Sequence, residues 1–173
     1  MPKYSRIAAL LITSAVFASL PAKAQTRGPS TPEERACAVE VAKALRADPL
    51  SHEVQGGREW LIKWLIEIPD ISVKLGSNFL GDLGKEKNGY SGALLASMMA
   101  SEASFVIEHP DKRKDSNAMY FAGVDGALES YQAIQKKDPQ YHLPHLDELL
   151  QKQERGTLAE YVHETAKTCK NKN

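Results

Sequence analysis

Four X-Pro steps divide this chain: Asp48-Pro49, Ile68-Pro69, His109-Pro110 and Asp138-Pro139. Proline lacks the amide that a helix interior needs and pushes the preceding residue out of the helical region, so each step closes the helix before it. Between the steps, apolar residues recur at three- and four-residue spacing, the period of an amphipathic helix. Such a chain has to fold as short helices packed on one another.

Helix starts are equally legible. Thr31-Pro32-Glu33-Glu34 places a Thr cap, Pro in the first helical position and Glu three residues after the cap, a capping box that satisfies the free amides of the first turn. Thr157-Leu158-Ala159-Glu160 is a second one. These signals predict helices over about 31–47, 57–68, 91–108, 116–137, 144–155 and 157–170. In the first, Cys37, Val41, Ala44 and Leu45 share a face. In the second, Trp60, Trp64, Ile68, Leu61 and Leu65 fill one arc, opposite the i,i+4 charge chain Glu59, Lys63, Glu67. Ile62 and Ile66 lie outside that arc and point to burial on more than one side.

Segment 69–89 breaks the pattern. Ile71, Val73 and Leu75 alternate like a strand, but no second strand exists to pair with them, and Gly76, Gly81, Gly84 and Gly89 follow. An ordered crossover with one helical turn around Phe79 to Leu83 is the expectation. The fourth helix carries a small-residue face of Gly123, Gly126, Ser130, Ala122 and Ala133, and the third offers Ala96, Ser97, Ala100, Ala103 and Ser104. Two helix-interior glycines, each costing about 1 kcal/mol against alanine, point to close contact between these helices as the central pair. The predicted fold class is all-α: a single-domain helical bundle, or a short helical-hairpin array, of about six helices over 31–170.

The N-terminus has the three parts of a secretory leader. Lys3 and Arg6 form a basic n-region, Ile7 to Leu20 is mostly apolar, and Ala22-Lys23-Ala24 supplies small residues for cleavage after 24. The apolar run is shorter than the about 20 residues a membrane-spanning helix needs. The expectation is a cleaved signal over 1–24, loose segments at 25–30 and 171–173, and a periplasmic or secreted domain that does not insert in a membrane. Removing Lys3, Arg6 and Lys23 leaves 19 basic against 22 acidic residues. No excess of positive charge remains to draw the chain to nucleic acid.

The cysteines number two, Cys37 and Cys169, one near each end of the mature chain. In an oxidising compartment such a pair is expected to form a disulfide, here linking the terminal helices. A metal site would need more soft ligands close in sequence, and no Cys-x-x-Cys is present.

Glu102 is the residue that least fits its surroundings. On the wheel of the third helix it lies within the arc of Leu94, Phe105, Met98, Leu95, Val106 and Met99. A carboxylate there must pair, become neutral or face a wet cavity. A ligand pocket built from Glu102, Met98, Trp60 and Trp64 is therefore one expectation, and a structural ion pair the other. Glu160-x-x-His163 has the spacing of half a di-iron motif, but its partner elements are missing and both side chains leave the apolar stripe. His142-x-x-His145-x-Asp147-Glu148 is interrupted by Pro144. No hydrolase, phosphate-loop, zinc or haem motif occurs, so no metal, cofactor or catalytic residue is assigned.

Ala127-x-x-x-Tyr131-x-x-Ile134-x-x-x-x-Pro139 resembles the second helix of a tetratricopeptide repeat, down to the closing proline. The likeness covers 13 residues, and the matching first helix with its Trp, Leu-Gly and Tyr is missing upstream. It implies only a stacked-hairpin arrangement as the alternative to a closed bundle. The function expected is non-enzymatic binding of a protein or small ligand, with a ligand carrier or enzyme using Glu102 as the alternative.

Overall fold

The computed structural model describes residues 27–76, 79–83 and 89–170, without the side chains of 169 and 170. The expected leader and the tail at 171–173 lie outside the described residues. Among the described residues six α-helices follow in order: α1 (Pro32–Ala47), α2 (His52–Glu67), α3 (Ser91–Glu108), α4 (Ser116–Lys137), α5 (Pro144–Glu154) and α6 (Leu158–Lys170). A short 3-10 turn, Pro110–Lys112, links α3 to α4. Among the described residues there is no strand, and the stretch from Ile71 to Gly76 is irregular backbone.

Local chemistry sets most boundaries. At α1, Thr31 Oγ1 accepts from Glu34 N at 3.2 Å while Glu34 Oε2 accepts from Thr31 N at 2.9 Å, closing the capping box. At α4, Asp115 Oδ1 accepts from both Asn117 N and Ala118 N. The start of α2 departs from expectation by five residues. Ser51 caps it, accepting from Val54 N at 3.2 Å, and the helix runs straight through Gly56-Gly57. Gly57 has a packing reason to be there, because a Cβ on it would stand 3.1 Å from a Val41 methyl.

The α3–α4 pair is the centre of the molecule, with α1 laid against both. The glycines of α4 permit this, though not against the face expected. A Cβ on Gly126 would stand 1.9 Å from Ser101 Oγ, and one on Gly123 would stand 2.8 Å from Glu102 Cγ. The small residues Ala96, Ala100 and Ala103 of α3 turn the other way, joining Ala38, Ala42 and Leu45 of α1 and Leu61, Trp64 and Ile68 of α2 in one apolar cluster. A second cluster joins α3 and α4 to α5, α6 and the crossover through Phe79, Leu94, Leu128, Tyr131, Leu146 and Val162.

The α1 face differs in part from expectation: Leu45 is buried as expected and Val41 and Ala44 are half-buried, but Ala38 and Ala42 take the place of Cys37. Its buried stripe is Ala38, Ala42 and Leu45, and Cys37 is an exposed, free thiol. Alanines win because their small side chains let α1 approach α3 closely, which a wheel weighted by bulk overlooks. Among the described residues no disulfide is present: Cys37 is free, and the side chain of Cys169, the other half of the expected pair, lies outside them. Ile66, expected to help bury a second side of α2, is 79% exposed.

Ser30, in the segment before α1, is buried and donates to Asp70 through both its amide, at 2.8 Å, and its hydroxyl, at 2.7 Å. Arg35 adds a salt bridge to the same carboxylate at 2.9 Å. Burial pushes the Asp70 carboxyl up, but these donors outweigh it and hold the group below its ordinary value. The chain's entry into α1 is thereby tied to its exit from α2.

Candidate functional site

Glu102 is fully buried, as its place on α3 requires. The crossover lies over it: Lys74 N donates to Glu102 Oε2 at 2.6 Å, while Lys74 Nζ donates to Ser116 Oγ at the start of α4, also at 2.6 Å. The other oxygen, Oε1, has no hydrogen-bond partner. It lies against Gly123, where a Cβ would come within 2.9 Å of it, with Met98 alongside. Burial raises this carboxyl to about 8, with the Lys74 amide and then its ammonium acting against that rise. At neutral pH Glu102 is thus chiefly the uncharged acid. It neither ion-pairs nor lines any of the three clefts described below. The arrangement acts as a latch, an acid of α3 holding the backbone of a crossover that is also tied to α4.

Trp60 and Trp64 lie elsewhere. Their rings stack at 5.4 Å between centroids and 18° between planes, on the side of α2 that faces the N-terminal segment. With Arg27, Lys63 and Glu67 they line an open cleft of about 180 Å³. Arg27 donates to Glu67 at 3.2 Å and pairs with Glu34, and Lys63 lies 3.9 Å from Glu67. The Thr31 amide holds the Glu34 carboxyl below its ordinary value against slight desolvation, helped by Trp64 and Arg27. Trp64 is 2% exposed, and its Nε1 has no acceptor in hydrogen-bonding geometry.

The four residues expected to form one pocket therefore divide. Glu102 and Met98 belong to the α3–α4 contact, and Trp60 and Trp64 to the cleft on α2. Sequence reasoning missed Arg27 and the α1–α2 groove. The groove, of about 310 Å³, is lined by Cys37, Glu40, Val41, Ala44, Glu53, Val54 and Gly57. Its signal was present in the apolar Val41 and Val54 facing a glycine, but only the true start of α2 reveals it. A third cleft, about 150 Å³, is polar. Its charges are engaged with one another and with neighbours: Arg46 with Glu129 at 3.1 Å, Glu108 with Ser104 at 2.9 Å, Asp125 with Gln153 at 2.6 Å.

The histidine motifs are spoken for. His142 Nδ1 lies 3.3 Å from Asp147, whose other oxygen accepts from the buried Tyr131 hydroxyl at 2.7 Å. Burial pushes that phenol up. His145 Nε2 faces away, 3.1 Å from Tyr161 OH and 3.2 Å from the Phe79 carbonyl, pinning the crossover to α5 and α6. Glu160 and His163 are exposed, and His163 meets Asn117 at 2.9 Å. Among the described residues no group of three or more His, Cys, Asp or Glu side chains is placed to hold a metal, and no helix is long and apolar enough to cross a membrane. No protein-family model, curated protein or solved structure matches the chain.

Proposed function

We propose that this is an exported, non-enzymatic binding protein, acting in the periplasm or outside the cell through its α1–α2 face. One observation carries the reading: α2 contributes to two open clefts, the aromatic one at Trp60 and Trp64 and the apolar one at Val54 and Gly57. Glu53, Gly57, Trp60, Trp64 and Glu67 follow one another at steps of four and three, so they form a single stripe along the helix. From Glu53 to Glu67 that stripe is about 21 Å long. The face needs no rearrangement to receive a ligand or a partner segment, which favours binding. The leader-like segment supports export. The alternative of a carrier or enzyme centred on Glu102 draws less support, because that acid is closed off by Lys74 and Gly123.

Photo-cross-linking residues introduced at Glu53 and Lys63, with Glu154 and Glu160 as controls on α5 and α6, test the reading in the exporting cell. Adducts are expected from the first two sites and not from the controls. Equal adducts from both faces, or from the controls alone, would refute it.

A further inference from the structure

We infer that the Trp60–Trp64 cleft is a carbohydrate subsite, stacking one sugar ring on Trp60 and bonding its hydroxyls through Arg27, Lys63 and Glu67. This rests on the binding role proposed above and narrows it to one class of ligand. Three observations lead to it.

The first is shape. The two indoles are nearly parallel and stacked on each other, so they offer one flat aromatic face. A cation of the quaternary ammonium type is held by several rings set around it, which these are not. Trp64 is covered, so the ring within reach of a ligand is the half-buried Trp60. A flat apolar face suits the C–H face of a sugar ring. At about 180 Å³ the cleft falls below the roughly 300–1,000 Å³ of sites that enclose a drug-sized molecule. It has room for one ring of a chain that continues out of the open side.

The second is charge. Arg27 and Lys63 are balanced by Glu67 and Glu34, both within pairing distance of Arg27. A site with two cations and two carboxylates attracts neither a strong anion nor a strong cation. It selects a neutral ligand.

The third is the pattern of donors and acceptors. Each sugar hydroxyl both donates and accepts, so a ring with adjacent hydroxyls is matched by a planar guanidinium beside a carboxylate. Arg27 and Glu67 are placed so, 3.2 Å apart.

The experiment uses the mature protein with three neutral trisaccharides as probes: chitotriose, cellotriose and maltotriose. The sequence has two tryptophans and both line this cleft, so intrinsic emission reads occupancy directly. A saturable emission change is expected with at least one trisaccharide. By calorimetry, Trp60→Ala should weaken that binding at least tenfold and Trp60→Phe should restore part of it. Lys63→Ala, at a side chain 77% exposed and so safe for the fold, should weaken it severalfold. Binding that persists undiminished in both Trp60→Ala and Lys63→Ala would overturn the assignment. So would the absence of saturation with all three probes up to about 10 mM. In that last case cross-links at Glu53 and Lys63 would leave the binding role standing, while their absence as well would remove both.

Discussion

Replacing Glu102 by Gln should make the protein indifferent to pH over a range where the native protein loses stability. The sign follows from the direction of the shift. Glu102 in the folded protein holds its proton up to about 8, whereas in the unfolded chain it releases it near 4.5. Between those values the folded state binds more protons than the unfolded one, so stability falls as pH rises. The slope approaches 1.4 kcal/mol per pH unit, which gives a loss of about 3 kcal/mol between about pH 5 and pH 7.5. Above about pH 8 the loss levels off near 5 kcal/mol, an order-of-magnitude figure. Glutamine has the same shape and its carbonyl can accept the Lys74 amide, but it cannot ionise. Near pH 5 the variant should be less stable than the native protein by about 1–2 kcal/mol, since its amide nitrogen sets two N–H donors against Gly123 where the neutral acid sets one O–H. Near pH 8.5 it should be more stable by several kcal/mol. Urea unfolding followed by far-UV circular dichroism at a series of pH values measures both curves. Parallel curves for the two proteins would refute the reasoning, because the slope would then come from other groups.

Three further outcomes follow from the packing. Gly126→Ala should destabilise by about 1–3 kcal/mol in urea unfolding, despite alanine's higher helix propensity, because its Cβ would stand 2.6 Å from Ser101 Cβ. A stabilised variant would mean α3 and α4 are not in close contact there. Thr31→Ala should cost about 1 kcal/mol by the same assay through loss of the capping box, and no loss would show that the first turn of α1 is held by other means. Cys37 should react with a thiol reagent in the native protein at the rate of an unhindered thiol. A native mass lower by two hydrogens, with a Cys37–Cys169 peptide under non-reducing conditions, would contradict the placement of α1.

Most of the fold was readable because its signals are local. Capping boxes and X-Pro steps act within one turn, and they located the start of α1 and the C-terminal ends of α1, α3 and α4 without reference to the rest of the chain. What failed were inferences that needed the neighbour. Gly56-Gly57 read as a helix boundary, yet Ser51 caps α2 upstream and Gly57 is small because Val41 stands over it. The α1 wheel favoured Cys37 and Val41 over Ala38 and Ala42, since alanine carries no bulk. It is the absence of bulk that lets α1 reach the alanines of α3. Glu102 was conspicuous as a carboxyl among apolar residues. The element that covers it was not, because the course of an irregular crossover is set by tertiary contacts and leaves no period in the sequence. Arg27 was invisible for a related reason: it gains its role from Glu34, seven residues on, and Glu67, forty residues on.

Amide NMR of the protein, with and without a saturating trisaccharide or partner, tests most directly whether binding uses the α1–α2 face. The account predicts that the Trp60 and Trp64 indole signals and the amides of Val54 and Gly57 shift on binding, while the Lys74 amide held by Glu102 stays in place. Movement of the Lys74 and Gly123 amides with the indole signals unchanged would contradict it.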